Sequence, residues 1–262
     1  MRLVRRVAQT AFVTADILQS RLQGPRILIY HQVGSGRSHE MNVTVDAFRS
    51  QLDWLGAHGE IVSLDDALQR RGEAAAESLY VLTFDDGYAD IFANAFPLLE
   101  KRRIPFTLYL TSGPIEAPDD FPHWPGEPLT WDQTRPMLDS GLMTLGAHTH
   151  THPDLRHVDV RTATEELELS NQLIEQRLGE SPQHFTYPKG WWSETADTPV
   201  RGAYATATLG MGSSITPASD LHTLNRVSVV GSDAFGAFRR KMLTGGRTEA
   251  RVRRLRQRYK GP

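Results

Sequence analysis

The sequence predicts an α/β protein, a closed or partly closed β/α barrel of about seven strands. Three observations predict it. Short apolar runs alternate with longer segments of helical period, the mark of a parallel sheet with crossover helices. The 262 residues match one such barrel. Polar residues fall just after the apolar runs, where parallel barrels carry their chemistry.

The strand runs come in order. Arg26–Tyr30 is the first, Tyr80–Phe84 the second and Phe106–Leu110 the third. Leu142–Ala147, His184–Tyr187, Tyr204–Thr208 and Arg226–Val230 complete seven. Between them, Phe48–Leu55, Ile91–Leu99 and residues 161–178 read as helices. Pro97 falls inside the second as a kink, and Leu167, Leu173, Ile174 and Leu178 mark the apolar side of the third. The segment Thr111–Leu129, rich in Pro, Gly and Asp, is expected to be a substrate-facing loop.

Composition narrows the function classes. With 39% hydrophobic and 23% charged residues the chain is ordinary for a globular protein. A net charge of -2 excludes a global pull toward nucleic acid. There are no cysteines, so a disulfide framework is excluded and any metal site must use His, Asp or Glu. Three parts are expected: an N-terminal amphipathic helix over 1–25, a main domain over 26–232 and a basic C-terminal helical extension over 233–262. Gln9, Thr10, Thr14 and Asp16 interrupt the apolar stretch that a signal peptide needs. Three readings of the first segment stay open: a helix packed on the domain, a peripheral membrane contact, and an atypical signal sequence. The expected location is cytoplasmic, with membrane association as the alternative.

Two short motifs carry the chemistry. Thr83-Phe84-Asp85-Asp86-Gly87-Tyr88 ends a buried run with two adjacent carboxylates. Burying both is costly unless a cation compensates. With Asp86 on a metal, Asp85 stays free as a base, and Gly87 permits the tight turn. Alone, such a turn is common. His148-Thr149-His150-Thr151-His152-Pro153 follows another strand. One helical turn would put His148 and His152 on one side, with His150 pointing elsewhere. Neutral imidazole suits Zn²⁺ and similar divalent ions. Two histidines and a carboxylate leave positions open for water and substrate.

These two motifs, in this order, resemble the first two of the polysaccharide deacetylase family, carbohydrate esterase family 4, which carries the NodB homology domain. Trp131-Asp132 and the helix from Glu165 to Gly179 are similar to the spacers of that family. Phe185-Thr186-Tyr187-Pro188-Lys189-Gly190 resembles its third motif. The resemblance spans about residues 26–230 and implies a distorted β/α barrel. It also implies that Asp86, His148 and His152 bind the metal, expected to be Zn²⁺, and that Asp85 is the catalytic base. Two departures stand out. Thr186 occupies the place where many members carry an arginine that holds the catalytic Asp. A late Leu-x-His motif, which usually supplies the general acid, is missing. His222 is a poor substitute because no buried strand precedes it. His31, after Ile27-Leu28-Ile29-Tyr30, is the better candidate, as though the last catalytic strand had moved to the front in a circularly permuted barrel.

The implied activity is hydrolytic removal of N-acetyl groups from a polysaccharide or amino sugar, with release of acetate. Tyr187, Pro188 and Lys189 are expected at the substrate, with the Lys189 N–H as an oxyanion donor. Trp191 and Trp192 follow directly, and indole faces stack well on sugars, although a place in the core suits them equally. Tyr88 and Trp131 are further candidates for the cleft. Two rival readings are an amidohydrolase of the same fold acting on a small cyclic imide or ureide, and a non-catalytic carbohydrate-binding domain.

Overall fold

The apolar runs are strands of a closed parallel barrel. A computed structural model of the chain describes residues 24–246. Residues 1–23, nearly all of the expected N-terminal helix, and 247–262, the end of the basic extension, lie outside the described residues. The strands in chain order are β1 (Arg26–Tyr30), β2 (Gln32–Val33), β3 (Asn42–Val43), β4 (Glu60–Ile61) and β5 (Leu79–Phe84). They continue with β6 (Phe106–Leu110), β7 (Met143–Ala147), β8 (His184–Thr186), β9 (Thr206–Leu209) and β10 (Leu224–Ser228).

Seven of them, β1 and β5 to β10, form the barrel, each parallel to its neighbours. The first strand closes it. β1 pairs with β5 from Arg26↔Tyr80 to Tyr30↔Phe84, and on its other side with β10 from Ile27↔Arg226 to Ile29↔Ser228. β4 adds to β5 outside the ring, and β2 pairs with β3 apart from it. Parallel barrel strands are covered on both faces, which is why β1, β5 and β6 are mostly apolar and are buried along their whole length.

Helices form the outer layer, and their ends follow capping chemistry. The helix expected over 48–55 runs Val45–His58, because the Thr44 side chain accepts from the Ala47 N–H and starts it earlier. The helix Trp131–Asp139 opens with a reciprocal capping box between Thr130 and Gln133. Val160–Leu178 is capped by Asp159 and ends at Gly179 in the left-handed region, φ 75°. The 91–99 segment is not one kinked helix. It is a π-helical turn, Ile91–Ala95, joined to an α-helix, Phe96–Lys101. Pro97 stands in the first turn of the latter, where its missing N–H costs nothing. The helix Phe235–Thr244, the start of the expected 233–262 extension, buries Phe238 and Met242 in the main core, with Phe238 edge-on to Trp54 at 5.9 Å. Among the described residues no helix is long and apolar enough to cross a membrane.

The barrel interior has two layers. Near the N-terminal ends of the strands, Ile27, Leu79, Val81 and Leu224 meet Val62, Leu64, Leu68 and Ile215 in an apolar plug. Above it the interior turns polar: Thr83, Thr186, Thr208 and Arg226 are all buried. The Arg226 guanidinium lies over the Tyr109 ring, 5.2 Å from its centroid. Gly146 makes room for that ring, since a Cβ there would stand 2.4 Å from it. A polar layer beneath the C-terminal strand ends supports a site from below.

Candidate active site

Asp85 and Asp86 stand at the C-terminal end of β5. The Asp85 N–H donates to the Tyr30 carbonyl at the end of β1, 3.0 Å away, so strand closure fixes the turn. Asp86 and Gly87 both adopt left-handed backbone, φ 73° and 81°. A non-glycine residue held there is strained by about 1–3 kcal/mol, and such strain gathers at functional sites. The turn sends the two carboxylates apart, Asp85 into the barrel and Asp86 toward the histidines.

Asp85 meets Arg226. Nη1 donates to Oδ1 and Nη2 to Oδ2, both at 2.7 Å. The guanidinium also donates to the hydroxyls of Thr83 (2.8 Å) and Thr186 (2.6 Å). Burial pushes the Asp85 carboxyl up, but the charge and hydrogen bonds of Arg226, with His148 and His31, bring it below its ordinary value. The arginine missing at position 186 is thus supplied by β10, two strands away, and Thr186 survives as one of its partners.

Asp86 meets the histidines. His148 Nε2 lies 3.4 Å and His152 Nε2 3.6 Å from Asp86 Oδ1, a buried oxygen with no hydrogen-bond partner. The three ligand atoms all lie within 4.8 Å of one another. His148 Nδ1 contacts the Thr186 carbonyl at 2.7 Å, which fixes that nitrogen as the protonated one and leaves Nε2 bare toward Asp86. Burial, with the charge of His148, pulls the His152 imidazole down to about 4. For Asp86, burial alone would raise the carboxyl, yet His148, His31 and His152 together hold it well below the usual range. A His148 Nε2 bare toward Asp86, a neutral His152 imidazole, an ionised carboxylate and an orphaned buried oxygen fit a divalent cation.

The expected helical turn at 148–152 is absent. Thr149 and His152 both take left-handed backbone, φ 67° and 61°, and the two imidazole centroids come to 4.8 Å. His150 points away, as expected, with Nδ1 on the Ser112 hydroxyl at 2.9 Å.

His31 follows β1 on the same rim. Burial pulls its imidazole below the ordinary value, against the Asp86 and Asp85 carboxylates, which raise it. Its Nδ1 is buried without a partner. The segment beyond it is pinned from the start of the π-helical turn that follows β5: Asp90 Oδ1 accepts from the Val33 N–H at 2.6 Å, and Asn94 Nδ2 donates to the Val33 carbonyl at 2.8 Å. His222 lies elsewhere, with Nε2 on the Tyr204 carbonyl.

The expected substrate contacts divide. Lys189 is exposed, with φ 61°, and its charge is among those that lower the His152 pKa. Pro188 is buried before it. Tyr187 does not join them. It is fully buried on the outer side of β8, against Phe185 at 5.2 Å, because alternation sends 185 and 187 away from the lumen. Trp191 sits under the Arg156 guanidinium at 5.1 Å, and Trp192 is 43% exposed with Nε1 on Asp197. Trp131 Nε1 donates to Glu116, 2.8 Å away. Within the 111–129 segment, Trp124 stands edge-on to His152 at 5.8 Å and near Tyr88 at 6.0 Å. Burial and the nearby Asp86 carboxylate both push the Tyr88 phenol up. Arg226 and Trp124 are the residues that sequence reasoning missed.

A parallel barrel with paired aspartates and two histidines on its C-terminal rim defines an α/β-barrel hydrolase. The chain belongs to the polysaccharide deacetylase family, whose profile matches residues 72–207. It is 24% identical over 219 residues to the Bacillus subtilis (strain 168) protein YxkH, covering 81% of this chain and 75% of that one. It is 26% identical over 161 residues to the poly-beta-1,6-N-acetyl-D-glucosamine N-deacetylase of Staphylococcus aureus (strain MSSA476). That match covers 60% of this chain and 53% of the relative, so the chain spans about half of its length. Among solved structures, the Streptococcus pyogenes deacetylase PplD in complex with acetate shares the fold at a TM-score of 0.71. It is 23% identical, and the overlap covers 85% of this chain and 99% of that one.

Proposed function

We propose that this protein is a metal-dependent deacetylase that removes N-acetyl groups from a polymer of N-acetylglucosamine and releases acetate. One observation carries the reading: Asp86, His148 and His152 converge on one point while Asp85 is held beside them. The name of the Staphylococcus aureus relative supports N-acetylglucosamine as the sugar.

Asp86, His148 and His152 would hold the cation. A divalent ion there supplies Lewis-acid polarisation of a carbonyl and a lowered pKa for water. Asp85 is ionised and oriented by Arg226, and each of its oxygens keeps a second lone pair. It accepts a proton from water as the water oxygen bonds to the acetamide carbon. His31 donates a proton to the nitrogen as the carbon–nitrogen bond breaks, so acetate and a free amine leave. Lys189 and Trp124 flank the ligand set and would contact the sugar. Trp191 and Trp192, next to that rim, would extend the contact along a polymer.

Acetate release from N-acetylglucosamine oligomers tests this, with metal content measured on the same samples. The expected result is acetate release that a chelator abolishes and Zn²⁺ restores. Asp85→Asn should retain metal and lose at least about 100-fold in rate. Metal-replete protein inert on every acetylated oligomer, yet active on a cyclic imide, would overturn the substrate class.

A further inference from the structure

Glu166 is a charged residue in the apolar stripe of the helix Val160–Leu178, where Ala163, Leu167, Ser170 and Ile174 are also buried. Its carboxylate does not leave the interior. Oε2 accepts from the backbone N–H of His150 at 2.9 Å and of Thr151 at 2.7 Å. Oε1 accepts from the Thr151 hydroxyl at 2.6 Å. Three donors from two adjacent residues thus converge on one side chain. Both residues lie in the chain between His148 and His152.

That segment needs an outside hold. Two of its five residues, Thr149 and His152, take left-handed backbone without being glycine. Such conformations persist only where surroundings over-determine them. From within, the Thr149 hydroxyl accepts from the His152 N–H at 3.0 Å. From the far side, the Gly113 N–H donates to the His150 carbonyl at 2.8 Å. Glu166 supplies the charged partner, and charge-assisted hydrogen bonds are about twice as strong as neutral ones.

We propose that Glu166 is a positioning residue of the metal centre: its carboxylate locks the left-handed turn that brings His148 and His152 onto Asp86, and so sets cation affinity. The inference rests on the reading that those three residues hold a divalent ion. Groups that orient metal ligands without touching the metal typically change affinity by about 10–100-fold when removed.

The test is Zn²⁺ affinity of the full chain, by competition with a chromophoric chelator, alongside thermal melts of metal-free protein. Glu166→Ala should bind Zn²⁺ about 10–100-fold more weakly. Glu166→Gln should recover most of that loss, because its amide oxygen still accepts from both N–H groups and its NH₂ donates to the Thr151 hydroxyl. In the Co²⁺-loaded protein, Glu166→Ala should also alter the visible absorption bands, a sign of moved ligands that a purely structural role would not give. Wild-type affinity in Glu166→Ala overturns the inference, whatever its melting temperature. Should Glu166→Ala not fold, Thr151→Val decides, since it deletes the Oε1 bond alone: affinity weakened at least about threefold supports the inference, and unchanged affinity overturns it. Wild-type protein that binds no Zn²⁺ would instead remove the metal reading beneath it, a result distinct from either.

Discussion

Arg226 holds Asp85 by two parallel hydrogen bonds of 2.7 Å, although 140 residues separate them in the chain. The pair exists because β1 closes the barrel between β5 and β10. It is buried, and both the Thr83 and Thr186 hydroxyls complete the guanidinium's bonding. Removing one partner strands the other. Arg226→Ala should therefore destabilise the fold by about 3–5 kcal/mol, the usual cost of an uncompensated buried charge. Arg226→Lys keeps the charge but loses the fork, so the rate should fall about 100-fold with a smaller loss of stability. Urea melts and initial rates on the same preparations separate the two effects. Arg226→Thr combined with Thr186→Arg should regain part of the rate lost by Arg226→Thr alone, because position 186 already touches the guanidinium. No gain would show that the two positions are not interchangeable.

The strands, the turn of paired aspartates and the two histidines that converge on Asp86 are legible because each is local: an apolar run, then a polar residue at its end. Arg226 is not, because a basic residue in a strand reads equally as an edge or a surface position. The usable signal was its period. Leu224 and Arg226 are both buried on alternate positions of β10, so an arginine on the lumen side demanded a carboxylate. The same alternation would have excluded Tyr187 from the substrate contacts. Glu166 gave a comparable signal, as an acid within a helix's apolar stripe. The spacing of His148 and His152 predicts a helical turn, but spacing does not distinguish a helical turn from the left-handed one that forms.

Asp90 gives a pH test of stability. Its Oδ1 holds the Val33 N–H two residues past His31, in a partly buried position. Burial pushes its carboxyl from the ordinary 3.8 up to about 6, even though the backbone bonds from Val33 and its own N–H oppose the shift. A raised acid pKa means that the folded state binds more protons than the unfolded one across that interval. Stability from this group is therefore full below about pH 4, declines toward pH 6 and is flat above it. Asp90→Asn keeps the acceptor and removes the ionisation. The melting temperature of Asp90→Asn relative to wild type should rise between pH 4 and pH 6 and then level off. A difference that stays constant over that range would mean that Asp90 ionises as an ordinary carboxyl.

His31 is the group whose role depends most on barrel closure, since β1 is what carries it to the rim beside Asp85 and Asp86. If it protonates the leaving nitrogen, its importance must scale with how badly the leaving group needs a proton. An amine expelled from an acetamide needs one, whereas a nitrophenolate expelled from an acetate ester does not. His31→Gln should thus lose about 10²–10⁴ in rate on an N-acetylated oligomer, the typical worth of an acid. On 4-nitrophenyl acetate the same variant should lose much less, because attack by water still uses Asp85 and the metal-ligand set. Equal losses on the two substrates would assign His31 to holding the site together instead of proton donation. Full activity on the oligomer would remove it from the chemistry and return the search for the acid to the other residues of the rim.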